Sequence, residues 1–284
     1  MKEYSENLHM SDGKMSELRL YAFVVIRNKT CSESAACRSL LTQADHDFRV
    51  LIYDNSDSDF GIRRQCEENG WVYLGGNGNR GLPVAYNSAL DLLEADRAEG
   101  ILCILDDDTC LKRSFISEMK SAAENSNADI ILPVLVQDGR MLSPWREKGR
   151  THFNSFEECA AEPEKNLLAF NSGMTVRLDV FRNYRYDEKL FLDCVDMSFL
   201  AEMKKRGRKI AAVPVYCEQS FSGMEKPPKE AAMKRFAIFS KDMRAFYGKK
   251  NTKCRYLLLK RAVHLTFIYG SLKPFAILSV RNNE

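Results

Sequence analysis

The sequence predicts an α/β fold, a mostly parallel sheet flanked by helices, with a helical extension at its C-terminus. Short apolar runs alternate with helical patterns through the first half of the chain, and strands separated by single helices close right-handed crossovers into a parallel sheet. Those runs are apolar almost without interruption, as strands covered on both faces must be. The 284 residues, 45% of them hydrophobic, suffice for one large domain or two modest ones.

YAFVVI (21–26) reads as the first strand and ESAACRSLLTQ (33–43) as its helix. RVLIYD (49–54), GIRRQCEEN (61–69) and WVYLG (71–75) repeat the pattern, followed by helical PVAYNSALDLLEA (83–95) and the strand ILCILD (101–106). A helix over 114–124 and the strand DIILPVLV (129–136) come next. The polar stretch 137–166, with Pro144, Trp145 and many charges, predicts a long loop or lobe junction. NLLAFNSGMTVR then leads to a helix near 194–206, the strand KIAAVPVY (209–216) and a helix near 229–247. The polar N-terminus lacks the apolar core of a signal peptide and reads as a loose tail.

A formal charge of +3, from 42 basic and 39 acidic residues, gives no bulk field for nucleic acid, and no nucleic-acid partner is expected. The nine cysteines are odd in number, scattered and free of C-x-x-C pairs, so they read as buried thiols of a reducing cytosol. Four histidines far apart in sequence argue against a zinc centre. No window reaches the roughly 20 apolar residues of a membrane span, since 262–280 is broken by Lys273 and Pro274, which predicts a soluble or peripheral protein.

Within GGNGNRGLPVAYN (75–87), Gly76, Gly78 and Gly81 match G-x-G-x-x-G, and an NAD-binding oxidoreductase is one reading of them. A dinucleotide turn, however, follows the first strand and is answered by a single acid about 20 residues on. Here the glycines follow the third strand, and the next strand ends in Asp106, Asp107 and Asp108. Three adjacent carboxylates repel one another, and a cation relieves the repulsion. Oxygen-only ligands at the carboxyl edge of a sheet suit Mn²⁺ or Mg²⁺ bridging to substrate phosphates. The alternative is a solvated acidic loop that caps helix 114–124.

Taken in order, the motifs resemble the inverting nucleotide-sugar glycosyltransferases of family 2, which have the GT-A fold. VVIRNKT (24–30) resembles the family's V-x-x-Y-N-R opening, with Arg27-Asn28 where Tyr-Asn is usual, and LIYDNSDSD (51–59) resembles its second-strand motif. Asn79, Gly81, Ala85 and Asn87 follow the pattern N-x-G-x-x-x-A-x-N, and Asp106 and Asp108 make the D-x-D motif. NSGMTVRLDVF and LFLDCVDMSFLAEMKKRG resemble acceptor-side segments of rhamnosyltransferase-like members.

The resemblance implies a nucleotide-sugar-binding half (19–136), an acceptor-side half of the same domain (137–225) and a C-terminal extension (226–284), after a tail over 1–18. It places Asn28, Asp54, Asn55, Asn79, Gly81, Asn87, Asp106 and Asp107 at the donor, and Asp108 with Asp106 on Mn²⁺ or Mg²⁺. Asp196 is the implied general base, with Asp193 as second candidate; both also suit a helix start ahead of the apolar stripe Val195, Phe199 and Met203. The implied donor is a dTDP- or UDP-sugar, and the implied acceptor a glycan or lipid-linked glycan. A non-catalytic sugar-nucleotide-binding member of a glycan-assembly complex is the other reading.

Residues 241–261 carry eight cations against the single acid Asp242, interleaved with Phe246, Tyr247 and Tyr256. Two readings fit: an anionic membrane surface bound through 241–280 at the cytoplasmic face, or a helix packed on the domain with a solvated face.

Overall fold

The computed structural model describes residues 18–219 and 227–279, so the tail expected over 1–18 lies, apart from Leu18, outside the described residues. The chain runs β1 (Leu20–Ile26), α1 (Ala35–Leu41), β2 (Phe48–Asp54), α2 (Ile62–Asn69), β3 (Val72–Gly75), α3 (Leu82–Ala95) and β4 (Ile101–Asp106). Then come β5 (Thr109–Leu111), α4 (Phe115–Glu124), β6 (Ile130–Gln137), β7 (Arg140–Ser143), β8 (Trp145–Arg146), β9 (Thr151–His152), α5 (Phe156–Ala160), β10 (Leu167–Leu168) and β11 (Thr175–Arg177). The last elements are α6 (Val195–Lys205), β12 (Ile210–Gln219), α7 (Lys229–Tyr247), α8 (Thr252–Tyr269) and α9 (Lys273–Ser279).

The main sheet has the order β3-β2-β1-β4-β11-β6-β12-β5, with β7 paired to β6. β1 to β4 run parallel, and β6 and β12 share their direction because antiparallel β11 lies between β4 and β6. β5 and β7 also run against their neighbours. The sheet is therefore mostly parallel, as its uninterrupted apolar runs predict.

β1 is buried along its whole length and divides its side chains by alternation. Tyr21, Phe23 and Val25 join the core beneath α3 and α6, whereas Leu20, Ala22, Val24 and Ile26 join the core beneath α1, α2 and α4. The stripe Val195, Phe199 and Met203 seats α6 on the first of these cores. α7 and α8 pack beside them through Met243, Cys254 and Leu258, which meet Cys194 just ahead of α6.

The stretch 137–166 is not the long loop its polarity predicts. β7 turns back on β6, β8 pairs with β9 and β10 in a small second sheet, and Trp145 is buried. Strands of two residues carry too little alternation to stand out in the sequence. All nine cysteines are free thiols, and all but Cys110 are buried. Among the described residues no helix is long and apolar enough to cross a membrane.

Candidate active site

A cavity of about 920 Å³ opens at the carboxyl ends of β1, β2 and β4. β4 delivers Asp106 to it, and the chain turns through Asp107 and Asp108 into β5, whose pairing with β12 anchors the turn. The Asp106 amide donates to Ser172 Oγ at 3.2 Å, which ties the strand end to the NSG segment. Packing around the Asp106 carboxyl raises its pKa to about 7, and the charges of Asp108, Asp107 and Asp196 add to the effect. Burial and Asp107 raise Asp108 as well, opposed by Gln219 Nε2, which donates to its carboxylate at 3.1 Å.

Asp107 plays a different part. It accepts from Lys29 Nζ at 2.9 Å and from the Arg27 amide at 3.4 Å, and its carbonyl accepts from Ser34 Oγ, the N-cap of α1. This residue fastens the β1–α1 loop to the carboxylate turn, while Asp106 and Asp108 line the cavity and the charge of Asp108 adds to the rise of the Asp106 carboxyl. Among the described residues no group of three or more His, Cys, Asp and Glu side chains is arranged to hold a metal alone. Two mutually repelling oxygen donors nevertheless fit a hard divalent cation whose remaining ligands are phosphate and water.

Asn55, Asn79 and Gly81 line the same end of the cavity. Asn55 Oδ1 accepts from the Arg80 amide at 2.7 Å and Asn79 Oδ1 from the Gly81 amide at 3.2 Å, so each holds the loop it serves. Gly81 sits at φ +87°, and a Cβ there would stand 2.7 Å from the Phe191 carbonyl oxygen. That carbonyl accepts from the Leu82 amide at 2.8 Å, joining the start of α3 to the segment before α6.

The other end is built around α6. Asp196 stands in its first turn and accepts from the Met197 amide at 2.7 Å. Burial raises its carboxyl to about 6 despite this bond and the backbone contact of its own amide. The preceding residue but one, Cys194, is the helix cap at φ +64°, a strained conformation for a residue with a side chain. The fully buried Asp242 of α7 holds that strain in place: it accepts from the amides of Phe191, Leu192 and Asp193 at 3.0, 2.8 and 2.7 Å. Asp193 is gripped by Arg235, also on α7, through both carboxylate oxygens, one contact measuring 2.7 Å.

Three residues expected at the donor do not line the cavity. Asp54 is buried, with one oxygen accepting from the Ser56 amide at 3.0 Å and the other from the Tyr73 hydroxyl at 3.1 Å. Asn28 exchanges hydrogen bonds with Asp57 and donates its amide to Ser56 Oγ, pinning the β1 loop to the β2 loop. Asn87 faces inward from α3, where its amide group meets Tyr186 in both directions and donates to Glu188. All three support the wall because their polar atoms are consumed by backbone and side-chain partners.

The model of the family described as Glycosyl transferase family 2 matches residues 26–185, more than half of the chain. The chain belongs to glycosyl transferase family 2. Among solved structures, the mannosyltransferase PcManGT from Pyrobaculum calidifontis, in complex with GDP-Man and Mn²⁺, is similar at 16% identity and a TM-score of 0.57 over 93% of this chain and 79% of that one. Residues 1–349 of S. aureus TarS in complex with UDP match at 14% identity and a TM-score of 0.54, over 94% of this chain and 77% of that one. The complex of the same TarS segment with UDP-GlcNAc matches at 13% identity and a TM-score of 0.51, with the same coverage. No curated relative matches the sequence. At such identities the solved structures speak for the shared GT-A fold.

In this family 2 chain the glycines of G-x-G-x-x-G stand at the exit of the third strand, whereas the connection after β1 carries Arg27, Asn28 and Lys29. No glycine turn therefore lies after β1, where a dinucleotide fold places its phosphate turn.

The structure also adds cavity residues that the motifs do not mark. Trp145 and Phe170 meet with ring centroids 4.6 Å apart, and Arg150 lines the wall while its guanidinium donates to the Tyr247 hydroxyl at 2.8 Å. Asn171 donates to Tyr86 but, among the described residues, leaves its buried Oδ1 without a partner. Asn171 lies inside the quoted NSG segment, so proximity to a motif was the available signal. Asp242 had only its solitude among cations.

Proposed function

We propose that the protein is a metal-dependent, inverting glycosyltransferase that moves a sugar from a dTDP- or UDP-linked donor to a hydroxyl of a glycan or lipid-linked glycan. One observation supports this best: a single cavity sets the repelling pair Asp106 and Asp108 against Asp196, near enough for Asp196 to raise the Asp106 carboxyl, and Asp196 itself titrates at about 6. A carboxylate with that pKa is ionised at neutral pH and still basic enough to draw a proton from a hydroxyl. The similar solved structures were captured with UDP, UDP-GlcNAc or GDP-Man with Mn²⁺, which favours a nucleotide-sugar donor.

In this reading Asp196 takes the acceptor hydroxyl proton as that oxygen attacks the anomeric carbon from the face opposite the diphosphate. The new glycosidic bond forms as the bond to the diphosphate oxygen breaks, and the nucleoside diphosphate carries away the electron pair. A divalent cation held by Asp108 and Asp106 would supply Lewis-acid stabilisation of that leaving group. Asp193 is the weaker candidate for the base because both its oxygens are engaged by Arg235. Asn55, Asn79 and Gly81 hold the donor side, with Asp54, Asn28 and Asn87 positioning them. The unpartnered Asn171 Oδ1 is suited to accept from a sugar hydroxyl, since leaving it unmet costs about 1–3 kcal/mol.

Rhamnose is the proposed sugar, following the likeness of the acceptor-side segments to rhamnosyltransferase-like members, with hexoses from UDP next. The division at 136 and 225 into donor half, acceptor half and extension, and a place in the cytoplasm at the inner membrane face, belong to the same proposal. A thermal-shift screen of dTDP-, UDP- and GDP-linked compounds with and without Mn²⁺ tests it. Metal-dependent stabilisation by dTDP or UDP compounds is expected. Stabilisation by NAD alone would overturn the reading in favour of an oxidoreductase.

A further inference from the structure

We infer that the outward face of α8 docks the protein on an anionic phospholipid bilayer. The inward face of this helix is complete: Cys254, Leu258 and Ala262 are buried. The opposite face is apolar too. Tyr256, Leu259, Val263 and Phe267 recur at intervals of 3, 4 and 4 residues, which aligns them on one side, and they are 63%, 51%, 37% and 84% exposed. Leu272, 74% exposed, follows in the turn to α9. A helix with apolar stripes on both sides is expected inside a protein or against a second apolar phase, and among the described residues only one of its sides meets protein.

Charge identifies the second phase. Between 243 and 279 the chain carries Arg244, Lys249, Lys250, Lys253, Arg255, Lys260, Arg261 and Lys273, and no Asp or Glu. On the helical wheel Lys253 and Lys260 flank the exposed stripe on one edge and Arg255 on the other. An apolar stripe rimmed by cations matches the hydrocarbon boundary and negative headgroups of an anionic leaflet. A second copy of the chain is the poorer occupant, because a two-fold contact would bring the same cations face to face.

The inward side of α8, opposite the docking face, reaches toward the cavity. The Arg261 guanidinium stacks 4.1 Å above the ring of Phe239 on α7, and Phe239 lines the cavity. The pair α7 and α8 thus stands between the bilayer contact and the site of proposed transfer. The docking inference stands apart from the transfer reaction and can fail separately.

Co-sedimentation of the full chain with vesicles tests it. Binding to phosphatidylcholine vesicles doped with phosphatidylglycerol is expected at low salt, with little binding to phosphatidylcholine alone and release as salt rises. The double variant Tyr256→Ser with Phe267→Ser should partition about tenfold less or weaker still. Lys253→Glu with Lys260→Glu should lose the preference for the anionic vesicles. Both variants alter exposed positions, so unchanged melting temperatures and unchanged nucleotide-induced shifts are the controls for folding. Native-like partitioning of either variant, or failure of the unaltered chain to bind anionic vesicles at low salt, would overturn the inference. So would a dimer in solution that the Tyr256→Ser, Phe267→Ser pair abolishes, which would make this face a contact between copies.

Discussion

The proposed donor and acceptor ends of the cavity hold carboxylates by different means. Asp106 ends the buried strand β4, paired with β1 and β11, and Asp108 leads into β5, paired with β12, so backbone ladders on both sides of the turn determine where the two stand. Asp193 and Asp196 stand on a short segment whose strained entry through Cys194 is held by two side chains of α7, Asp242 and Arg235. Backbone pairing distributes the load over many bonds, whereas a single carboxylate gathers three amides at the other end. One substitution in α7 should therefore disturb the acceptor end while the donor end keeps its shape.

The largest effect is expected at the proposed base. Asp196→Asn should lower the transfer rate about a thousandfold, within the range of general-base catalysis, while nucleotide binding persists. Asp242→Ala comes next. It strands three half-buried amides, so it should cost about 2 kcal/mol of unfolding free energy in a denaturant titration. Transfer should fall at least about tenfold with little change in the UDP-induced shift, because near-attack geometry is sensitive to displacement. An equal loss of nucleotide binding would show that the two ends are not separable in this way.

Titration sharpens the same contrast. If Asp196 is the base, kcat/KM should rise as pH increases through about 6, where its carboxyl ionises. The stability linkage has the opposite sense: a carboxyl raised in the folded state contributes stability that is present below its unfolded pKa and lost as pH rises through the folded one. From the shift of 3.8 to about 6, the loss is on the order of 3 kcal/mol, so Asp196→Asn should melt higher than the unaltered protein at neutral pH. That gain should vanish in acid, where both proteins are uncharged at this position. The smallest effect is expected for Asn171→Ala, roughly a tenfold rise in KM with kcat nearly kept, as befits one hydrogen bond to a bound hydroxyl.

The same contrast explains what could be read from the sequence. ILCILD followed by three aspartates announces a buried strand delivering charge to a sheet edge, and the spacing of Val195, Phe199 and Met203 announces the seat of α6. These are local patterns with strong periodicity. β5 and β8 to β10 are too short to show any, and antiparallel β11 enters between β4 and β6 through pairings far apart in the chain. Motif membership did not reveal direction: Asn79 faces the cavity, whereas Asn87, eight positions on, faces Tyr186 and Glu188. Asp242 was legible only as a lone acid in a cationic run. Its significance lies in being fully buried against amides some 50 residues away, which no window of sequence contains.

The central claim is that one cavity divides its work between a metal-holding pair and a proton-accepting carboxylate. Its most direct test measures, on the same preparations, the thermal shift caused by UDP or dTDP with Mn²⁺ and the rate of sugar transfer, for the unaltered protein, Asp108→Asn and Asp196→Asn. The account predicts that Asp108→Asn loses the metal-dependent shift and transfer together, and that Asp196→Asn keeps the shift while losing transfer. An Asp108→Asn protein that retains the full metal-dependent shift, or an Asp196→Asn protein that transfers at near-native rate, would contradict it.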